Sequence, residues 1–388
     1  MQIPSDIADL ALIRQYLHAH PELGLKEFRT ADFLSNLLSD LGLEVTGGIG
    51  TTGIVASLRR GKGDRAIGMR ADMDGLPISE STQKSYTSRH ENRMHACGHD
   101  GHMAMLLGAA HALANDPGFK GTVHFIFQPA EENAGGAKLM IDDGLFERFP
   151  CDMVFALHNF PGMEVGKFAI RDGCIAASID GATITVKGKG GHGAQPEKTV
   201  DPIVIGAQIV LAFQTVVSRN LGPFDPAVVT VGAFHSGSAS NIIPERATLE
   251  MSLRATTPED RQLMIHRLVE LATAIARGFG GSVEFEWQAG YPVTINASKA
   301  VDVAQHAARQ AGQEGIGALD SHNLEWLDNP CMGSEDFSFM LEQVPGALMF
   351  IGNGESPPLH SPEYDFDDAV MLFGVQYFTN LARIIFDD

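Results

Sequence analysis

Apolar residues follow two spacings along this chain, and each spacing predicts a different element. Spacings of three and four residues predict amphipathic helices, whereas short apolar runs between turn residues predict buried strands. After an opening pair of helices, separated by HPELG at residues 20–24, strands alternate with helices. This favours an α/β layer with a mostly parallel central sheet flanked by helices. The predicted helices are 5–18, 27–42, 100–114 and 135–142, and the predicted strands are 53–58, 66–71, 123–127 and 153–157.

Between residues 181 and 290 the order of elements changes. Strands at 182–187, 228–234, 247–254 and 282–287 enclose helices at 200–219 and 258–278. This β-α-β-β-α-β order is that of ferredoxin-like α+β units. Helices at 298–311, 334–342 and 367–385 and a strand at 347–351 follow it. We therefore predict a discontinuous domain of residues 1–180 and 291–388, with an inserted domain of residues 181–290.

Composition narrows the class of protein. With 388 residues and 44% hydrophobic side chains, the chain exceeds what one hydrophobic core usually supports. No apolar run approaches the ~18 residues of a membrane span, and the first six residues lack the regions of a signal peptide. The cysteines show no spacing typical of a disulfide framework. These features predict a cytoplasmic protein without a membrane partner, and the net charge of −20 argues against nucleic acid.

Residues 94–102 carry a dense group of potential metal ligands. Cys97 and His99 are two residues apart, so their α-carbons lie at most about 7 Å apart. Thiolate and neutral imidazole bind divalent transition metals well. Further ligand types follow apolar strands, where the carboxyl ends of parallel strands gather functional residues. They are Glu131 and Glu132, His158, His360, and the acidic pair Asp72 and Asp74. Together these segments predict one metal site.

The adjacent glutamates suggest a division of labour. Metal-assisted hydrolysis needs one carboxylate to bind the ion and another to accept a proton from water. Neighbouring side chains of an extended backbone point to opposite sides, so Glu131 and Glu132 could take one task each. Structural alternatives remain: the pair could favour a helix N-terminus, and Asp72 with Asp74 could cap a turn.

Other polar residues of this region are expected to have structural roles. His102 and His111 fall on the predicted helix 100–114 and are expected to pack in the core or lie at the surface. His95 and Asp100 are expected to stabilise the loop that carries Cys97 and His99.

The segment GKGGHG at residues 188–193 formally matches a dinucleotide-binding motif. No helix follows it directly and no acidic residue stands about 20 positions on, so that interpretation fails. A flexible turn that presents His192 is the better hypothesis.

Eight segments resemble the M20 metallopeptidases and amidohydrolases, within them the branch of aminoacylases, hippurate hydrolases and indole-acetyl-amino-acid hydrolases. The resemblance extends from about residue 10 to 385. The matching segments are RADMDGLP at 70–77, MHACGHDGH at 94–102, QPAEE at 128–132, LHN at 157–159, GGH at 190–192, SNIIP at 240–244, GSEDF at 333–337 and LHSP at 359–362.

The resemblance implies a catalytic domain with two divalent metal ions and an inserted lid domain that dimerises. The implied ligands are Cys97, His99, Glu132, His158 and His360. Glu131 would be the general base, and Asp72 or Asp74 would orient a ligand; which of the two stays open. His192 would polarise the scissile carbonyl, reaching the partner subunit's site, and Asn241 and Arg254 would hold the substrate carboxylate. Manganese, zinc, cobalt and nickel all remain candidates.

The expected activity is metal-dependent hydrolysis of the amide bond of an N-acyl-amino acid. A dipeptidase or carboxypeptidase of the same family is the first alternative, and no extra acid for a free α-amine stands out in the sequence. A metal-dependent binding protein without catalysis is the second, against which Glu131 speaks. The expected partners are a small N-acyl-amino acid and a second copy of the chain.

Overall fold

The computed structural model describes residues 7–116, 118–288, 290–311 and 323–387, with side chains from residue 10 onward. Residues 5 and 6 of the first predicted helix lie outside this part. The described helices are α1 (Ile7–Ala19), α2 (Phe28–Asp40), α3 (His99–Ala114), α4 (Gly136–Asp142), α5 (Leu145–Arg148), α6 (Pro202–Asn220), α7 (Pro258–Gly278), α8 (Ser298–Ala311), α9 (Ser338–Leu341) and α10 (Val370–Asp387).

Strands account for much of the remaining described chain. They are β1 (Glu44–Ile49), β2 (Gly53–Arg60), β3 (Ala66–Asp72), β4 (Gly121–Gln128), β5 (Met153–Phe160), β6 (Phe168–Ile170), β7 (Gly173–Ala176), β8 (Asp180–Lys187), β9 (Gly191–His192), β10 (Ala227–Ser236), β11 (Ile242–Ile243), β12 (Arg246–Ala255), β13 (Ser282–Gln288), β14 (Thr294–Asn296), β15 (Leu324–Trp326) and β16 (Gly346–Gly352).

Two kinds of element depart from the prediction. The helix expected at 334–342 is only α9, because the Asp336 carboxylate accepts hydrogen bonds from Arg70, Gln128 and the Ala137 backbone N–H, which fixes the chain ahead of the helix. Strands β1, β6, β7, β9, β11, β14 and β15 and the four-residue helix α5 were not predicted. They are short or half-exposed, so their apolar pattern is weak.

The first compact unit contains residues Met1–Ile175, Ile295–Asn329 and Asp336–Asp388. Its eight-stranded sheet has the order β1-β2-β4-β3-β5-β16-β6-β15. The central pairs β4–β3, β3–β5 and β5–β16 are parallel, as is β6–β15, while β1–β2, β2–β4 and β16–β6 are antiparallel. This confirms the predicted mostly parallel central sheet. The carboxyl ends of β3, β4, β5 and β16 consequently meet at one edge.

Helix α3 lies at the centre of this unit. The prediction gave it one apolar face, but nearly all of its side chains are buried. Small residues allow this close packing: a Cβ at Gly101 would lie 2.3 Å from the ring of Phe366. Because α3 begins at His99, the packing of the helix also fixes the start of the predicted metal-binding segment.

The second compact unit contains residues Ala176–Thr294 and Pro330–Glu335. Its antiparallel sheet has the order β10-β12-β8-β13, and α6 and α7 pack on it, which confirms the ferredoxin-like unit. By length and composition alone α6 could cross a membrane, with a mean hydropathy of 1.4. Its residues Ile205, Ile209 and Phe213 pack in the core of this unit.

The predicted domain limits at 180/181 and 290/291 fall near the limits of the two units. Residues 330–335, which the prediction assigned to the first domain, group with the second unit. That the two units are separate domains stays a prediction.

Candidate metal centre

Side chains of ligand type gather at the carboxyl edge of the large sheet. Asp72 ends β3, and His158 lies near the end of β5. His99 is the first residue of α3, and Glu132 follows β4. Parallel strands place their carboxyl ends together, so segments distant in sequence converge here.

Gly98 fixes the approach to α3. Its φ is +91°, in the left-handed region, which glycine adopts without steric cost. A Cβ there would lie 2.3 Å from Asn159 Nδ2 and 2.7 Å from Tyr364 Oη. Asn159 Nδ2 also donates to the Cys97 carbonyl at 2.6 Å. Glycine at this position therefore lets Asn159 hold the backbone that carries Cys97.

His99 presents a buried nitrogen without a hydrogen bond. In the neutral ring, Nδ1–H donates to the Asp74 carbonyl oxygen at 2.8 Å, which leaves the lone pair on Nε2. Nε2 is buried and has no hydrogen-bond partner among the described residues. It lies 3.7 Å from Asp72 Oδ2 and 3.9 Å from Glu132 Oε1. A buried polar atom is normally satisfied, so this position calls for a bound partner.

His158 also binds a backbone carbonyl through Nδ1, while its Nε2 faces a thiol. Its Nδ1–H donates to the Asn159 carbonyl oxygen at 2.8 Å, and its Nε2 lies 3.6 Å from Cys97 Sγ. Burial, reinforced by His102, lowers the pKa of His158 to about 3. The ring is therefore neutral at physiological pH, which is the form that binds a metal.

Glu132 and His360, the remaining two predicted ligands, lie close together. His360 Nε2 lies 3.2 Å from Glu132 Oε1. Burial opposes ionisation of Glu132, but His360 and His99 hold its pKa below the usual value. His360 has a φ of +65°, which is uncommon for a residue other than glycine. Such strain clusters at functional sites.

Two groups of donor atoms share His99. Atoms of Cys97, His99 and Glu132 lie within 4.8 Å of one another, and so do atoms of Asp72, His99, His102 and His158. Burial opposes the charged imidazolium, yet Asp72, Asp74 and Glu132 raise the pKa of His99 to about 10. The cluster thus attracts positive charge. With its thiol, imidazoles and carboxylates, it fits divalent transition metals.

The two aspartates have different partners. Asp72 accepts from Arg70 Nη1 at 2.7 Å and from His102 Nδ1 at 2.6 Å. Asp74 accepts from the backbone N–H of Glu131 and of Glu132, each at 3.1 Å. Asp72 therefore borders His99 Nε2, whereas Asp74 supports the glutamate pair.

The structural roles expected around the cluster are partly confirmed. His102 is buried, as the core hypothesis expected, but both of its ring nitrogens are hydrogen-bonded, to Asp72 and to the Asn159 backbone N–H. Asp100 lies in α3 and not in the loop, where it accepts from His18 of α1 at 2.9 Å. His95 has no such contact: its ring nitrogens are buried without a hydrogen-bond partner among the described residues.

A buried arginine beside the cluster was not predicted. Arg70 donates to Asp72, to Gln128 Oε1 at 2.8 Å and to Asp336 Oδ1 at 3.0 Å. One feature of the sequence could have indicated it: Arg70 stands inside an otherwise apolar strand. A buried charge requires a partner, so an arginine at such a position indicates a buried ion pair.

Three predicted substrate-binding residues lie in the second unit. His192 in β9 pairs with Ile242 in β11. Its Nδ1 accepts from the Ala194 backbone N–H at 3.0 Å, so the neutral ring carries its proton on Nε2. Asn241 is exposed next to this β9–β11 strand pair, and its backbone carbonyl accepts a hydrogen bond from the Gly193 N–H at 2.8 Å. Arg254 donates to the Met332 carbonyl at 2.7 Å.

Known proteins resemble this chain over nearly its full length. A hippurate hydrolase of Campylobacter jejuni is 43% identical over 95% of this chain and 94% of its own. An N-acetyl-L-cysteine deacetylase of Bacillus subtilis is 34% identical over 97% of this chain and 88% of its own. The structure of a dinuclear metal binding peptidase of the M20 family from Bacillus subtilis superposes with a TM-score of 0.84 at 31% identity, covering 98% of both chains.

Residues 68–384 match the family model described as Peptidase family M20/M25/M40. The match spans most of the chain, and it confirms both the resemblance found in the sequence and the expected hydrolase class. The chain belongs to Peptidase family M20/M25/M40.

Proposed function

We propose that this chain hydrolyses the amide bond of N-acyl-amino acids, releasing a carboxylate and a free amino acid. The observation that carries the proposal is Glu131, a buried carboxylate that is adjacent in sequence to Glu132 of the ligand cluster. A binding protein needs no base at that point, whereas hydrolysis does. The names of the hippurate hydrolase and the deacetylase support an N-acyl-amino acid as the substrate.

Five residues would hold two divalent ions, with His99 bordering both groups of donor atoms. They are Cys97, His99, Glu132, His158 and His360. Bound ions would polarise the amide carbonyl and lower the pKa of water. The donor set suits zinc by its softness, and manganese, cobalt and nickel stay candidates.

Glu131 is assigned the proton transfer. Its carboxylate would accept a proton from the attacking water and later donate it to the leaving amine nitrogen, so that one group serves as base and then as acid. Asp74 holds the backbone N–H groups of Glu131 and Glu132 and so keeps the two carboxylates in a fixed relation. Asp72 is assigned the role of orienting His99 within the cluster.

His192 is assigned to the substrate carbonyl. With its proton on Nε2, the ring can donate a hydrogen bond to the oxygen on which negative charge develops. Asn241 and Arg254 carry donors suited to the substrate carboxylate. We further propose that residues 181–290 form a lid through which two chains dimerise, and that the enzyme works in the cytoplasm.

A substrate screen tests the proposal. Acetyl-, benzoyl- and indoleacetyl-amino acids, with dipeptides as the comparison set, are incubated with the protein and with Mn²⁺, Zn²⁺, Co²⁺ or Ni²⁺. Released amine is then measured. Release from acyl-amino acids, and little from dipeptides, is expected. Release from dipeptides alone would make the chain a peptidase, and none from any substrate by folded, metal-loaded protein would reject catalysis.

A further inference from the structure

Two buried carboxylates hold three consecutive backbone N–H groups at the turn that carries Glu131. Ala130 N–H donates to Glu27 Oε1 at 2.9 Å. The next two N–H groups donate to the two oxygens of Asp74. Glu27 lies 103 positions before Ala130 in the chain, and no part of the mechanism above uses it.

The turn needs this support because Ala130 is strained. Its φ is +51°, a conformation that residues other than glycine rarely adopt and that costs of order 1 kcal/mol or more. Surrounding contacts must therefore hold it there. The hydrogen bond from Ala130 N–H to Glu27 is such a contact, and it acts on the residue immediately before Glu131.

Glu27 is itself held rigidly. Its side chain is fully buried, and its second oxygen accepts from Thr52 Oγ1 at 2.7 Å. Both carboxylate oxygens therefore accept a hydrogen bond, one from Ala130 in the turn and one from Thr52, which directly precedes β2. A rigid acceptor fixes its donor more closely than a mobile one.

The segment around Glu27 also packs directly on the turn. A Cβ at Gly24 would lie 3.0 Å from Ala130 Cβ and 2.6 Å from Asn133 Oδ1. The same segment is attached to the loop after Asp74, because Gly75 N–H donates to the Glu22 carbonyl at 2.7 Å. The connection between α1 and α2 therefore contacts both chain segments that place the glutamate pair.

We propose that Glu27 is a positioning residue that aims Glu131 by holding Ala130 in its left-handed conformation. The inference rests on the proposed role of Glu131 as the base. Glu27 acts through the backbone, since its carboxylate is bound to Ala130 and Thr52. A displacement of about 1 Å at a catalytic group can cost about 100-fold in rate.

Four variants test the inference on metal-loaded protein with N-benzoylglycine as the probe. Glu27→Ala should lower kcat by at least about tenfold while KM and metal content stay near wild type. Glu27→Gln retains a side-chain oxygen acceptor and should stay within about threefold. In the Glu27→Ala background, Ala130→Gly should recover part of kcat, because glycine adopts positive φ without support.

Glu22→Ala is the matched control. The Glu22 carboxylate accepts from Thr30 N–H and hydroxyl in the same α1–α2 region, so its loss should lower the melting temperature without lowering kcat. If Glu22→Ala lowers kcat as much as Glu27→Ala does, or if Ala130→Gly gives no recovery, Glu27 has only a general stabilising role and the inference fails.

Amide hydrogen exchange separates this inference from the proposed function. In Glu27→Ala, exchange across residues 128–136 should become faster, with other regions unchanged. This readout needs no substrate. If wild type cleaves no acyl-amino acid and exchange at the turn still rises, the proposed function fails while the hold of Glu27 on the turn stands. Unchanged exchange would overturn the inference whatever the activity.

Discussion

The imidazole of His102 links to Asp72 through a 2.6 Å hydrogen bond between Nδ1 and Oδ1. Replacing His102 with glutamine should weaken metal retention or activity about 10- to 100-fold, the usual effect of losing a group that orients a metal-binding side chain. Elemental analysis and kcat measure it. His111→Gln, on the same helix with its ring near Asn115, is the control, and equal effects of the two changes would contradict the role.

Cys97→Ser should reduce the amount of metal bound per chain, because a hydroxyl is a much poorer ligand than a thiolate for soft divalent ions. Elemental analysis after dialysis gives the stoichiometry. Cys151→Ser is the matched control, since the Cys151 thiol donates to the Phe149 carbonyl. Full metal content in Cys97→Ser would remove Cys97 from the ligand set.

Glu131→Gln should keep the metal and lose turnover. The amide cannot accept the proton of the attacking water, and loss of a general base lowers rate by about 10²- to 10⁴-fold. Metal content and kcat are measured on the same preparation. A rate near wild type would refute the role of Glu131.

Mixed dimers test whether His192 acts in its own subunit's site or in its partner's. If it acts in the partner's site, combining His192→Ala with Glu131→Gln chains should restore part of the activity, because one of the two sites then has both residues intact. Heterodimers are confirmed by mass spectrometry before assay. No recovery in confirmed heterodimers would speak against sharing.

Stability should fall in mildly basic solution because of His18. Burial opposes its charged form, but Asp100, at 2.9 Å, and Glu80, at 3.2 Å, raise its pKa to about 9. A raised pKa gives stability that is complete below the unfolded value of about 6.5 and is lost as pH rises through the folded value. The expected contribution is on the order of 3 kcal/mol.

Urea unfolding of wild type and His18→Gln over this pH range measures the contribution. The difference in unfolding free energy between them should be largest near pH 6 and should shrink toward pH 10. A difference that does not change with pH would show that His18 contributes packing alone.

The parts of the site that follow strand ends were predictable from the sequence. Glu132 and His158 were found because chemically distinctive residues follow apolar runs, and Cys97 and His99 because ligand types are dense at residues 94–102. The structure brings them together. The βαββαβ unit was found for a similar reason, since its strands alternate regularly between buried and exposed positions. In both cases the local sequence pattern was enough for the prediction.

Supporting residues were not predictable because their roles depend on tertiary contacts. Arg70 reaches Asp336, which lies 266 positions away, and nothing near either residue in sequence marks the pair. The same holds for Glu27 and Ala130. The positive φ of Ala130 and His360 is also invisible in sequence, because neither residue is a glycine.

Asn159 connects three parts of the chain at the edge of the sheet. Its side chain binds the Cys97 carbonyl and accepts from the Tyr364 hydroxyl at 2.6 Å, and its backbone N–H binds His102. Strand β5, helix α3 and the segment after His360 are thus joined at one residue. The conformational entropy of ordering this corner is lost during folding, so an entering cation meets a site whose shape is already set.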